Sequence, residues 1–170
     1  MDRSAGPKLR GVYVGMPVEE FLRIYPSSRQ DGLGNPRVGE ISYDIAEDEQ
    51  PSANDVRILA IKFLDDKLSF VSFNYWNFDP VNVEDFARQA AEKFNLPSRG
   101  WKAEFGFLTM KCQGFRVRVC KCTGPRELGP TLILDDPEAE QIVQRRLKIK
   151  EREERELKRR EEQERRVFKP

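Results

Sequence analysis

Val56-Arg57-Ile58-Leu59-Ala60-Ile61-Lys62-Phe63-Leu64-Asp65-Asp66-Lys67-Leu68-Ser69-Phe70-Val71-Ser72-Phe73-Asn74-Tyr75-Trp76 is two runs rich in β-branched and aromatic residues, broken at Asp65-Asp66-Lys67. Two such runs around a short polar break read as a β-hairpin. In the second run Val71, Phe73 and Tyr75 fall on one side, and Ser72 and Asn74 on the other. That alternation belongs to an antiparallel strand with one face on a core and the other toward water. The hairpin therefore calls for an antiparallel sheet whose apolar face is covered by other elements.

Upstream, Ile41, Tyr43 and Ile45 alternate as a further strand, joined to the hairpin by an acidic, Pro-containing loop. Farther back, Gly15-Met16-Pro17-Val18-Glu19-Glu20-Phe21-Leu22-Arg23-Ile24-Tyr25-Pro26 carries the marks of a short helix. Pro17 suits its first turn, Glu19 and Glu20 suit the positive end of its dipole, and Pro26 stops it. Val18, Phe21, Leu22 and Tyr25 give it one apolar face. Residues 9–14 read as a short strand ahead of it, and residues 27–36 as a loop.

Downstream, Asn82 with Asp85 three residues on marks a second helix, with Val83, Phe86, Ala87, Ala90, Ala91 and Phe94 on its inner face. Residues 101–112 and 115–122 read as strands joined at Gln113-Gly114, and residues 131–134 as a last short one. The expected fold is α+β: an antiparallel sheet of about six strands packed by two helices, followed by a long charged helix. A unit of one helix and three strands occurs twice in this order. Phe21, Leu22, Val71, Phe73, Phe86, Phe94, Val117 and Val119 are the expected core.

Residues 136–170 follow a different composition. They hold twelve Lys/Arg and ten Asp/Glu, against eighteen and nineteen in residues 1–135, so the tail is densely charged yet nearly balanced. The division expected is a single α+β domain over 1–135 and a charged helical arm over 136–170. Five pairs spaced i, i+4 (Glu151 with Arg155, Glu154 with Lys158, Glu156 with Arg160, Glu161 with Arg165, Glu162 with Arg166) are in the order that supports an isolated helix, at about 0.2–0.5 kcal/mol each. Ala139, Ile142, Val143, Leu147 and Ile149 are expected to dock the start of the arm. Beyond them only Leu157, Val167 and Phe168 are apolar, and these three are the expected contacts to a partner protein.

The chain has no histidine, which removes Ser-His-Asp and Cys-His nucleophile pairs, His-containing zinc sites and imidazole acid/base chemistry. No cofactor motif is present: Gly32-Leu33-Gly34-Asn35-Pro36 lacks the strand context and third glycine of a phosphate cradle. The acidic residues Asp44, Glu47, Asp48, Glu49 and Asp55 lack the spacing of a calcium loop. The reading is therefore a non-enzyme without cofactor or metal. Cys112, Cys120 and Cys122 are odd in number, and a bridge across an i, i+2 pair on one strand is strained. They are expected as free thiols, which points to a reducing, cytoplasmic setting. No apolar run of membrane-spanning length occurs, so membrane insertion is not expected.

The stretch from Leu9 to Tyr25, with Gly15-Met16 followed by Glu19-Glu20 and the apolar helical face, resembles the opening of SmpA/OmlA-like and β-lactamase-inhibitor-protein-like domains. It departs from them at Pro17, where they carry Thr or Ser. The resemblance implies a small non-enzymatic α+β module used for protein contacts. In addition, Phe105-Gly106-Phe107 resembles the aromatic strand on which an RNA-recognition domain stacks bases, with Arg116 and Arg118 on a neighbouring strand as phosphate contacts. The function expected is a protein-interaction or assembly module acting through the arm. The alternative is an RNA- or ribosome-associated protein using Arg-rich parts of the arm with Arg116 and Arg118.

Overall fold

Asp65 and Asp66 both adopt the left-handed conformation, with φ of 49° and 63°, and Leu64 faces Lys67 across them. This is the two-residue turn whose twist matches that of the strands it joins, and Asp tolerates its positive φ better than larger residues do. It closes the hairpin of β3 (Val56–Leu64) and β4 (Lys67–Tyr75). The computed structural model describes residues 7–50, 56–75, 80, 82–121 and 129–167, without the side chains of 166 and 167.

The other strands are β1 (Arg29–Gln30), β2 (Glu40–Asp44), β5 (Lys102–Glu104), β6 (Phe107–Cys112), β7 (Phe115–Cys120) and β8 (Thr131–Asp135). All eight form one antiparallel sheet in the order β1-β2-β3-β4-β8-β7-β6-β5. Each half is thus a four-strand meander, β1-β2-β3-β4 and β5-β6-β7-β8, and the last strands of the two meet at the centre. Each meander follows its own helix: α1 (Val18–Ile24) before the first and α2 (Val83–Lys93) before the second.

The pleat sorts side chains into two faces. One row across the sheet reads Ile58, Phe73, Leu132, Val119, Leu108, and the next Ile61, Val71, Leu134, Val117, Met110. Both rows join a single core with Phe21 and Tyr25 from the α1 segment and Phe86, Ala87 and Ala90 from α2. Phe21 lies 5.3 Å from the Phe63 ring and 5.7 Å from Tyr43, while Phe86 meets Tyr75 edge-on at 5.4 Å. Burial pushes the Tyr75 hydroxyl up to about 12. The opposite face reads Lys62, Phe70, Asp135, Arg116, Lys111 and, beside it, Ala60, Ser72, Ile133, Arg118, Thr109, Lys102. β8 then runs directly into α3 (Pro137–Val167).

The α+β class, the antiparallel sheet and the long terminal helix match the reading of the sequence, but the strands number eight and not about six. The expected strand over 101–112 is cut by a turn at Phe105-Gly106 into β5 and β6, and β1 pairs inside the expected loop over 27–36. Residues 9–14 form no strand. Leu9 and Val12 make an isolated bridge around Arg10 and Gly11, both at positive φ. Of the eight expected core residues, six are buried, while Leu22 and Phe94 are half-buried against the core.

Candidate partner interface

Asp136 makes the junction between sheet and arm. Its carboxylate oxygen Oδ1 accepts from the backbone N–H groups of Glu138 (2.8 Å) and Ala139 (3.3 Å), which caps α3. Its own N–H donates to the Ser69 carbonyl at 2.8 Å, tying the cap to β4. Glu138 and Glu140 then lie in the first turn, where the helix dipole favours negative charge.

One residue earlier, the buried Asp135 carboxylate joins two strands to the helix. Arg116 donates to it through Nε (3.2 and 3.0 Å) and through Nη2, and the same Nη2 reaches Glu140 at 2.8 Å. Arg118 donates its Nε to Asp135 Oδ1 at 3.1 Å. The Asp135 hydrogen bonds raise the Arg116 pKa further above its ordinary value, against a smaller opposing effect of burial. This cluster makes Arg116 a structural residue. Its side chain is only 15% exposed, and Nε and Nη2 are committed to Asp135 and Glu140 inside the molecule.

Farther along α3, Arg146 forms a second clamp. Nη1 donates to the Val38 carbonyl (2.8 Å) and Asp65 Oδ1 (2.7 Å), and Nη2 to Asp65 Oδ2 (2.7 Å). The hydrogen bond from Arg146 is the main reason the Asp65 carboxyl sits below its ordinary value. Gly39, which follows the short 3-10 turn Pro36–Val38 and has φ of 78°, leaves room for the clamp. A Cβ at this position would lie 2.6 Å from Asp65 Oδ1 and 2.8 Å from Arg146 Nη1. About two turns beyond, Glu154 accepts from Arg37 at 2.7 Å.

Apolar docking is thinner than the sequence suggested. Ala139 is buried, Ile142, Val143 and Leu147 are half-buried, and Ile149 is 56% exposed, so Ile149 does not dock the arm. Open clefts of about 480 and 390 Å³ flank the base of the helix, the first beside Val14, Leu68 and Ile142 and the second beside Phe70, Arg118 and Val143. Of the four expected i, i+4 pairs whose side chains are described, Glu151–Arg155 forms at 3.5 Å. Glu154 is drawn to Arg37 instead of Lys158, and Lys150 pairs with Glu153 at 3.2 Å.

Every described side chain from 148 to 165 is exposed, and Leu157 is 58% exposed. Val167 is the last residue of α3 with its side chain outside the described set, and Phe168 lies outside the described residues altogether. The structure therefore places Leu157 on the exposed arm, well apart from Arg116 and Arg118 on the sheet.

The aromatic strand read at residues 105–107 does not form a stacking surface. Phe105 is in the β5–β6 turn with φ of 50°, and Phe107 is half-buried beneath the Arg118 guanidinium, 5.6 Å from its ring centre. The cysteines also need correction. Cys120 is disulfide-bonded, Cys112 is free, and Cys122 lies outside the described residues. An i, i+2 pair is held apart only where the strand continues through both residues, and β7 stops at Cys120. The case for a reducing compartment from three free thiols is thereby removed. Burial pushes the half-buried Cys112 thiol up. Among the described residues, no group of three or more potential ligands is placed to hold a metal, and no helix is long and apolar enough to cross a membrane.

No protein-family model matches this chain, and no curated protein matches it. Among solved structures, a cysteine-rich secretory protein from Staphylococcus aureus subsp. aureus Mu50 is similar with a TM-score of 0.45 and 11% identity. The match covers 78% of this chain and 46% of that one, so the chain spans less than half of that protein's length.

Proposed function

We propose that this protein is a non-catalytic interaction module that presents α3 to a protein partner. The observation that carries this reading is the change along one helix. Its base is fixed to the sheet by Asp135, Asp136 and Arg146, whereas every described side chain from 148 to 165 faces solvent. At about 1.5 Å per residue the whole helix extends about 46 Å, so its far end reaches beyond the sheet that anchors it. Leu157, Val167 and Phe168 supply the apolar contacts, and the mixed Arg and Glu around them set orientation and encounter more than affinity. The resemblance of residues 9–25 to SmpA/OmlA-like and β-lactamase-inhibitor-protein-like domains supports a module of this kind.

Ending the chain after Ile149 retains the Arg146 clamp and removes the exposed arm. The truncated protein is expected to unfold in one cooperative transition and to recover no partner in an affinity pull-down from which the full chain recovers one. Retention of the same partner by the truncated chain contradicts the proposal. Binding to RNA that weakens steeply with added salt transfers the arm to the nucleic-acid reading.

A further inference from the structure

Phe105 serves no visible purpose in the fold. It is fully exposed, at 103% of its reference area, and it holds a left-handed φ of 50° in a turn with Gly106 at φ of 81°. Asn-Gly and Asp-Gly are the dipeptides such a turn favours, because an aromatic side chain at the first position gains no packing and strains the backbone. Around Gly106 a built Cβ would meet nothing within 4 Å, so the tip stands clear of the body.

Directly behind the tip lies a cationic row. Lys102 on β5 pairs with Thr109 on β6, which pairs with Arg118 on β7, and this row is two residues back from the Glu104–Phe107 pair at the turn. Arg118 commits Nε to Asp135, and its two terminal amino groups make no hydrogen bond among the described residues. Between residues 99 and 121 there are six Lys/Arg and one Asp/Glu in a chain of net charge +1. Asp135 and Glu140 neutralise part of this excess at Arg116 and Arg118, and Glu104 pairs with Lys111 at 3.2 Å, which leaves Lys102 and the terminal amino groups of Arg118 as the positive charge behind the tip.

We infer that the β5–β6 hairpin docks the protein peripherally on an anionic lipid surface, with Phe105 entering the headgroup zone and Lys102 and Arg118 facing the lipid phosphates and carboxylates. A protein pocket requires a contiguous apolar patch around its anchor. Among the described residues no other large exposed apolar side chain lies on this hairpin. A nucleic-acid platform requires aromatics on the flat face of the sheet, where Phe107 is already covered by Arg118 and Arg116 is spent on Asp135. A lone aromatic tip with cations behind it suits a fluid anionic surface, which needs no shape complementarity. This docking is independent of α3 and of its partner.

The test is co-sedimentation of the full chain with vesicles of phosphatidylcholine mixed with phosphatidylserine, and with phosphatidylcholine alone. Binding is expected to the mixed vesicles, with loss on raising salt. Phe105→Asn should lower partition about 10- to 100-fold while raising the melting temperature by about 2–4 °C through relief of the turn. Phe105→Trp should retain binding, and Lys102→Glu should lower it about tenfold. No partition into mixed vesicles, or equal partition of the Phe105→Asn variant, overturns the proposal. It is equally overturned if Phe105→Asn leaves vesicles unaffected but abolishes binding to an oligouridylate or changes the oligomeric state.

Discussion

α2 and α3 are both attached to the same sheet, by opposite means. α2 buries Phe86, Ala87, Ala90 and Ala91 in the core and has its first turn capped by Asn82, whose side chain accepts from the Asp85 N–H at 2.8 Å. α3, almost three times as long, buries Ala139, half-buries Ile142, Val143 and Leu147, and adds polar ties through Asp136, Glu140, Arg146 and Glu154. Apolar burial is insensitive to salt and to mild acid, whereas exposed ion pairs are screened by salt and respond to protonation. α2 is therefore expected to unfold with the sheet, and α3 to loosen while the sheet remains intact.

The largest effect is expected in α2. Phe86 is buried against Tyr75, and Phe86→Ala is expected to destabilise the protein by about 3–5 kcal/mol in denaturant unfolding. A loss within about 0.5 kcal/mol, as at surface sites, would show that α2 is not part of the core.

A much smaller effect is expected in α3. Arg146→Ala removes the clamp to the Val38 carbonyl and to Asp65, but the Arg146 and Asp65 side chains are exposed, so the unfolding midpoint should shift far less than for Phe86→Ala. Its pH dependence has a definite sign. Because Arg146 lowers the Asp65 carboxyl below its ordinary value of 3.8, the clamp's contribution is fully present above that value and is lost as pH falls through the lowered folded-state value. The Arg146→Ala variant should lack this acid-dependent component. Equal acid sensitivity of the two proteins would assign it elsewhere.

The same contrast explains what could be read from the sequence. Residues 56–75 show their hairpin through alternation, and α2 shows itself through Asn82, Asp85 and the spacing of Phe86, Ala90 and Ala91, because all these signals are local. The Arg146 clamp joins residues 81 positions apart, and nothing around Arg146 in sequence distinguishes it from Arg145. Glu154 had a suitable neighbour in Lys158 and chose Arg37, since exposed pairs differ by too little energy for spacing to decide among them. The β5–β6 turn was hidden because Phe-Gly is a poor turn dipeptide: the apolar count around Phe105 read as continuous strand. The disulfide at Cys120 is not legible from spacing because no turn residue next to Cys120 marks the end of β7.

Amide hydrogen exchange along α3 is the most direct measurement of whether the arm is fixed at its base and free beyond it. The expected result is a gradient. Amides of α2 and β4 should exchange only through global unfolding, those of residues 141–147 through a lower-energy release of the helix base, and those of residues 155–165 fastest of all. Protection along the entire helix equal to that of α2 would contradict an appended arm and make α3 a structural element of the core.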